Sequence, residues 1–141
     1  MSSRDAWKGM GHSLADAVRA SSHATGWVVA LGDMPAIAPA TIAAVASELQ
    51  RCAAIVVPVF AGERGHPVGF PAALRDELLK LEGDEGARSL LRREAERIVK
   101  IAVDPRNGEA ALVCVTGKLW SDSNDRGVYR SADGGKTWTQ V

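Results

Sequence analysis

The stretch that decides the fold is GWVVALGDMPAIAP, residues 26–39, in which an apolar run ends abruptly. Residues 28–31 are apolar, partly β-branched and bounded by glycines at 26 and 32, so the pattern predicts a buried strand over 27–31. Asp33 follows where that strand ends, and in open α/β sheets ligands bind at the carboxyl ends of the parallel strands. Either Asp33 holds a hard cation together with substrate phosphates, or it is a turn residue that hydrogen-bonds to the backbone.

The composition fits one small domain, or one domain and a fraction of another. Of the 141 residues 46% are hydrophobic and 24% are charged, and 17 basic side chains balance 17 acidic ones. This balance predicts no nucleic-acid partner, and the apolar runs are too short to predict a membrane span. We expect no signal peptide, and Cys52 and Cys114 are not spaced as a metal or redox pair, so we expect a reducing, cytoplasmic setting.

Strands and helices alternate over the first hundred residues, which predicts a parallel α/β sheet. Predicted strands after the one at 27–31 cover residues 53–59 and 97–103. Predicted helices cover residues 13–20, begin at Pro39 and Pro71, and follow the turn that opens at 83. Ser13 is the expected N-cap of the first helix, and residues 61–70 are interpreted as a glycine-bearing loop.

Three polar segments with glycines are candidates for binding. GMGHSL, residues 9–14, brings backbone N–H groups and the Ser13 hydroxyl to a helix start, where they either bind an anion or a base edge or simply cap the helix. GERGHPVGF, residues 62–70, is either a phosphate- or carboxylate-binding loop or a surface turn. GDEGAR, residues 83–88, is equally a candidate loop or a turn whose acidic residues stabilise a helix N-terminus.

Together, the order and spacing of four segments closely resemble the molybdenum-cofactor cytidylyltransferases of the MobA-like nucleotidyltransferase family. The segments are DAWKGMGHSLADAV, VVALGDMPAIAPATI, AAIVVPVFAGERGHPVGFP and EGDEGARSLL. The resemblance covers about residues 5–104. It implies part of a Rossmann-like three-layer fold and Mg²⁺-dependent transfer of CMP from CTP to a pterin phosphate, with release of pyrophosphate.

The resemblance also implies roles for individual residues. Asp33 matches the family's catalytic Mg²⁺-binding aspartate, which favours the ligand interpretation at that position. The residues that match the nucleotide-binding segment are Gly9, Gly11 and Ser13. The residues that match the acceptor-binding motifs are Arg64, Gly65, His66, Pro67, Asp84, Gly86 and Arg88.

The chain departs from the family pattern at both ends of the match. The family begins with a strand and a glycine-rich loop, LAAGxSxRMGxxK, that wraps the triphosphate, and this loop does not occur in the 141 residues. The family's second acidic metal ligand is also missing, because the match stops at Asp104. We therefore expect an N-terminally truncated domain with impaired transfer activity, or a remnant that binds nucleotide weakly and catalyses nothing. The missing first strand predicts an exposed apolar sheet edge and self-association through it.

The end of the chain has a resemblance of its own. After Asp104–Pro105 the helical period disappears, and short strands are predicted at ALVCV, GVYR and TWTQV. SADGGKTW, residues 131–138, fits the Asp-box pattern S-x-D-x-G-x-T-W and is similar to turns of BNR-repeat β-propellers. One such turn makes at most part of one blade. We predict a MobA-like domain over 1–104 and a β-rich tail over 105–141 without activity of its own, with a β-propeller-type binding module as a third alternative.

Overall fold

The computed structural model describes residues 8–103, 107, 109–115 and 127–141. The elements of this part of the chain are, in order, α1 (Met10–Ala20), β1 (Gly26–Val29), α2 (Pro39–Cys52), β2 (Ile55–Phe60), β3 (Glu63–Arg64), β4 (Val68–Pro71), α3 (Arg75–Leu79), α4 (Arg88–Arg93), β5 (Ile98–Val103), β6 (Ala111–Val115), β7 (Gly127–Ser131) and β8 (Thr139–Gln140). Single 3₁₀ turns at Ala72–Leu74 and Ala95–Arg97 precede α3 and β5.

The strands form one sheet in the order β1-β4-β2-β5-β6-β7-β8, with β3 paired to β2 beside this path. Strands β2 and β5 run parallel, and Ile55 lies opposite Ile98. The other pairs among the described strands are antiparallel. The sheet is therefore mixed and mostly antiparallel.

The prediction of a parallel sheet is wrong, and the reason lies in the segment predicted as a loop. Residues 61–70 contain β3 and most of β4, and β4 lies between β1 and β2. A parallel connection needs a crossover of about a dozen residues or more. Residues 61–67, which separate β2 from β4, are too few, so the chain turns back on itself. The crossover from β2 to β5 carries α3 and α4 and produces the parallel pair.

Helices lie on both faces of the sheet, which gives the three-layer α/β fold that the sequence predicts. On one face α1, α3 and α4 pack on the sheet through Val18, Leu78 and Leu90. On the other face α2 packs through Val45 and Leu49. Successive residues of β2 contribute to the two cores in turn, because successive strand side chains point to opposite faces.

The first helix begins earlier than predicted. Helix α1 starts at Met10, and its N-cap position is Gly9, with φ 119°. Ser13 is therefore not the N-cap, and its Oγ donates to the carbonyl oxygen of Gly9 at 3.3 Å. Helix α2 starts at Pro39 as predicted, because proline has no backbone N–H to leave unpaired in a first turn.

Strand β1 is shorter and less buried than predicted. It ends at Val29, and each of its residues is half-buried. It pairs with β4 and stands at the end of the strand order. Among the described helices, none combines the length and the apolar character needed to cross a bilayer.

The tail strands continue the same sheet. Strand β6 pairs with β5, β7 with β6, and β8 with β7. The turn between β7 and β8 is tied by Asp133, whose carboxylate accepts hydrogen bonds from the hydroxyl groups of Ser131 and Thr137 at 2.8 and 2.6 Å. Trp138 packs on the core under α2. The predicted boundary at 104–105 lies outside the described residues, and the division into two domains stays a prediction.

Candidate functional site

The start of α1 is pressed against the turn that precedes α4. The backbone N–H of Gly11 donates to the carbonyl oxygen of Gly83 at 2.8 Å, and the N–H of Gly83 donates to Nδ1 of His12 at 3.2 Å. A Cβ at Gly9 would lie 2.5 Å from the Gly83 carbonyl, and a Cβ at Gly11 would lie 2.6 Å from the Glu82 carbonyl oxygen. Only glycine permits so close an approach. The fold thus joins the GMGHSL and GDEGAR motifs, which are far apart in sequence.

A cavity of about 540 Å³ opens beside this junction, between α1, the end of β1, β4 and the start of α4. Its floor is apolar and includes Val68 and Phe70, which are buried in β4. The polar side chains that line it are Ser13, His66, Glu85 and Arg88. An apolar floor with a few polar groups is the usual composition of a small-molecule site.

The predicted site residues lie in three places. Those that line the cavity are Ser13, His66, Gly86 and Arg88. Those that lie at the junction of α1 with the turn are Gly9, Gly11 and Asp84. The lining does not include Asp33, Arg64, Gly65 or Pro67. Arg64 is exposed in β3, the N–H of Gly65 donates to the Pro58 carbonyl at 2.8 Å, and Pro67 is buried.

Asp33 lies in an exposed turn directly after Gly32, which lines the cavity. The turn is closed by the N–H of Met34, which donates to the carbonyl oxygen of Leu31 at 3.2 Å. Within the described part of the chain, no three His, Cys, Asp or Glu side chains form a metal-binding group. A single carboxylate fits Mg²⁺ or Mn²⁺ when water and substrate phosphates complete the coordination. The residues present therefore fit a cation that arrives with a phosphorylated ligand.

Positive charge in the cavity comes mainly from one side chain. Among the described residues that line it, Arg88 is the only arginine or lysine, and it is exposed at the first position of α4. His66 adds an imidazole to the lining. Glu85 adds a carboxyl group, whose negative charge opposes the positive charge of Arg88. The Gly11 N–H is already hydrogen-bonded to Gly83, so it is engaged within the protein. The cavity offers one guanidinium to an anionic ligand.

Among the described residues, the groups with clearly shifted pKa values lie away from the cavity. Burial raises the pKa of the Cys52 thiol, at the end of α2, to about 11. The hydrogen bond to Glu48 raises the pKa of Arg51. Hydrogen bonds from Thr137 and then from Ser131 lower the pKa of Asp133, in the tail, to about 2.

Sequence reasoning missed the floor of the cavity and the contact made by His12. Val68 and Phe70 fell within the predicted loop, although their two-residue spacing next to Pro71 is the alternation typical of a strand. The sequence places His12 within the GMGHSL segment at a helix start. Its contact with Gly83 has no local signal, because the partner lies 71 residues away in the chain.

Comparisons with a family profile and with solved structures give matches to this chain. Residues 1–98 match the family profile described as the MobA-like NTP transferase domain. A crystal structure of Rv0371c from Mycobacterium tuberculosis H37Rv in complex with manganese is 35% identical, with a TM-score of 0.57 over 65% of this chain and 50% of that chain. A second Rv0371c structure is 33% identical, with a TM-score of 0.54 over 64% and 50% of the two chains. The chain thus spans about half the length of these relatives. No curated protein sequence matches it significantly.

Proposed function

We propose, because this chain belongs to the MobA-like NTP transferase domain family, that its cavity is part of a site for nucleotidyl transfer from CTP to a pterin phosphate. The observation that carries the proposal is that the fold joins the GMGHSL and GDEGAR motifs and lines one cavity with Ser13, His66, Gly86 and Arg88. In this reaction an oxygen of the acceptor phosphate attacks the α-phosphorus of CTP. The bond between the α- and β-phosphates breaks, and pyrophosphate leaves.

The roles of the lining residues follow from their chemistry. The Ser13 hydroxyl donates its proton to the Gly9 carbonyl oxygen, and its oxygen can accept a hydrogen bond from a base edge. The Arg88 guanidinium suits a phosphate oxygen, because its fork of N–H groups matches that geometry, and His66 adds a further hydrogen-bonding group. The apolar floor formed by Val68 and Phe70 suits a flat heterocyclic ring. A pterin phosphate has both parts, a flat ring and an anion.

Asp33 is the residue that would hold the divalent cation, which we propose to be Mg²⁺. The manganese complex of Rv0371c supports a divalent ion in this family. The bound ion would neutralise phosphate charge in the reaction. The carboxylate of Asp33 contributes by holding negative charge in an exposed turn beside Gly32, where a nucleotide phosphate can approach from the cavity.

We further propose that the 141-residue chain, assayed by itself, binds nucleotide weakly and does not transfer it at a measurable rate. The observation that favours this alternative is the single guanidinium of Arg88 among the described lining residues. Removing one preorganised donor at a developing charge costs about a hundred- to a thousandfold in rate. A triphosphate needs several such donors.

The test measures CTP binding by titration calorimetry in the presence of Mn²⁺ and, separately, pyrophosphate release with a reduced pterin phosphate acceptor. Arg88→Gln should weaken CTP or acceptor binding by about tenfold or more, since it removes a charged hydrogen bond. Arg92→Gln, on the same helix and outside the cavity lining, is the matched control. Equal affinities for wild type, Asp33→Asn and Arg88→Gln would contradict the proposed site. Clear pyrophosphate release by the chain alone would contradict only the proposal of inactivity.

Self-association is the remaining proposal for partners. Strand β1 stands at the end of the strand order, and its four residues are half-buried. An edge strand with apolar side chains pairs readily with another chain. Light scattering after size exclusion should therefore show species larger than the 14.9 kDa monomer. Free Cys52 and Cys114 are consistent with the cytoplasmic location that we propose.

A further inference from the structure

Both backbone polar groups of Gly83 are hydrogen-bonded to consecutive residues of α1. The carbonyl oxygen accepts from the N–H of Gly11 at 2.8 Å, and the N–H donates to Nδ1 of His12 at 3.2 Å. His12 is half-buried and does not line the cavity. The imidazole therefore accepts a hydrogen bond from the turn that follows Glu82 and makes no direct contact with the cavity.

The turn held in this way leads straight into the cavity wall. Gly83 and Gly86 have φ values of 65° and 55°, which L side chains rarely adopt. Nothing lies within 4 Å of the position that a Cβ would take at Gly83, so that side of the turn is open. Gly86 and Arg88, a few residues later, line the cavity. The hydrogen bonds to α1 therefore hold the first residue of the segment 83–88, and the last residue of this segment, Arg88, lines the cavity.

We propose that His12 is a positioning residue, which holds Gly83 against α1 and so sets the place of Gly86 and Arg88 in the cavity wall. Its effect on ligand binding rests on the function proposed above. An imidazole accepts through Nδ1 only when that nitrogen carries no proton, so the ring proton is on Nε2. The hydrogen bond therefore selects one tautomer.

The geometry distinguishes two conservative replacements. An asparagine carbonyl oxygen takes about the place of Nδ1, whereas a glutamine carbonyl reaches about as far as Nε2. His12→Asn should keep the acceptor for the Gly83 N–H, and His12→Gln should lose it. His23→Gln changes an exposed histidine just after α1 and is the matched control.

The first experiment tests the contact without any ligand. In ¹⁵N-labelled wild-type protein, Nδ1 of His12 should give the signal of an unprotonated ring nitrogen and Nε2 that of a protonated one. The Gly83 amide should exchange with solvent about two- to tenfold faster in His12→Gln, which corresponds to the loss of one hydrogen bond. Exchange in His12→Asn and His23→Gln should remain close to wild type. A protonated Nδ1 in wild type, or equal exchange in wild type and His12→Gln, would overturn the proposal.

The second experiment measures binding of CTP with Mn²⁺ to the same four proteins by calorimetry. The unfolding midpoints of the four proteins are measured alongside. Affinity that is weakened in His12→Gln and restored in His12→Asn, at similar midpoints, supports the positioning role, because a general loss of stability would lower the midpoint as well. Equal affinity in all four proteins, with the Gly83 amide unprotected in His12→Gln, would overturn it. If wild type binds no CTP, the proposed function fails, and the tautomer and exchange results alone then support or overturn the hold of His12 on Gly83.

Discussion

Helices α1 and α2 lie on opposite faces of the same sheet, yet their surroundings differ. Beside α1 a cavity of about 540 Å³ remains open, although the helix start is pressed against the turn before α4. Beside α2 the space toward the tail is filled. The Glu48 carboxylate is fully buried and accepts hydrogen bonds from Arg51 at 2.7 and 2.9 Å, and the Arg51 guanidinium lies 5.2 Å from the ring centre of Tyr129.

The contacts of α2 with the turn between β7 and β8 extend this difference. The Ser47 hydroxyl donates to the carbonyl oxygen of Gly135 at 2.6 Å, and the same oxygen accepts from Nε1 of Trp138 at 3.1 Å. A Cβ at Gly135 would lie 3.3 Å from the Cα of Ala44. The cavity on the α1 face is therefore lined by predicted site residues, whereas α2 contacts the turn between β7 and β8 on its side toward the tail. A second cavity of about 420 Å³ lies between α2, β1 and the turn after β4 and contains none of the predicted site residues.

The largest effect should come from deleting residues 127–141. The deletion removes β7, which pairs with β6 from Ala111 to Val115, and removes Trp138 from the core under α2. Because Val113 is fully buried in that core, we expect the shortened chain to lose its cooperative thermal transition, followed by circular dichroism. A cooperative transition near the midpoint of the full chain would instead make the tail dispensable, in line with the division into domains that the sequence predicts.

The buried ion pair should respond unequally to the loss of either partner. Arg51→Met leaves the Glu48 carboxylate buried without its partner and should cost about 2–4 kcal/mol in the free energy of unfolding. The Arg51 side chain is 35% exposed, which keeps the cost below that of a fully enclosed pair. Glu48→Met should cost only about 1 kcal/mol, because an apolar side chain of similar size fills the buried position and the partly exposed Arg51 still reaches water. Urea denaturation measures both, with Arg92→Met as the control, and equal costs would contradict the asymmetry.

A smaller effect on stability should come from adding a methyl group on the α1 face. The effect should be larger at the junction of α1 with the turn before α4 than at the lining of the cavity. Gly11→Ala should destabilise the protein by about 1–3 kcal/mol, because the added Cβ meets the Glu82 carbonyl oxygen at 2.6 Å. Gly32→Ala should change stability by less than about 0.5 kcal/mol, since no atom lies within 4 Å of its Cβ position. Denaturant midpoints check both variants. Stabilisation by Gly11→Ala, which helix propensity alone would favour by about 1 kcal/mol, would disprove the close approach.

The smallest effect concerns acid. The folded protein lowers the pKa of Asp133 from 3.8 to about 2, so the fold favours the ionised carboxylate. Its contribution to stability is therefore present above about pH 4 and is lost as the pH falls toward 2. The thermal midpoint of Asp133→Asn should depend less on pH over that interval than the midpoint of wild type. Parallel pH profiles of the two proteins would show that the turn gains nothing from this charge.

Local features of the sequence were enough for much of the fold. Pro39 and the helical spacing of apolar residues after it predicted α2, and ALVCV predicted β6 at Ala111–Val115. Both depend on residues that are close in the chain. The order of the motifs predicted the MobA-like nucleotidyltransferase family, which the match over residues 1–98 confirms, whereas the cytidylyltransferase assignment stays a prediction. The roles assigned to Asp33 and to the nucleotide and acceptor residues stay predictions.

By itself, then, the sequence determined the MobA-like family, the three-layer class that this resemblance implies, and helix α2 with its proline start signal. The tertiary structure alone decided the direction of β4, the start of α1 and the grouping of Ser13, His66 and Arg88 around one cavity. The direction of a strand depends on its partner strand, which the local sequence pattern does not identify. The connection between β2 and β4 is too short for a parallel crossover, so β4 runs antiparallel to β2. Helix α1 starts at Met10, beside the hydrogen bond from Gly11 to Gly83, and only the folded chain brings these two glycines together.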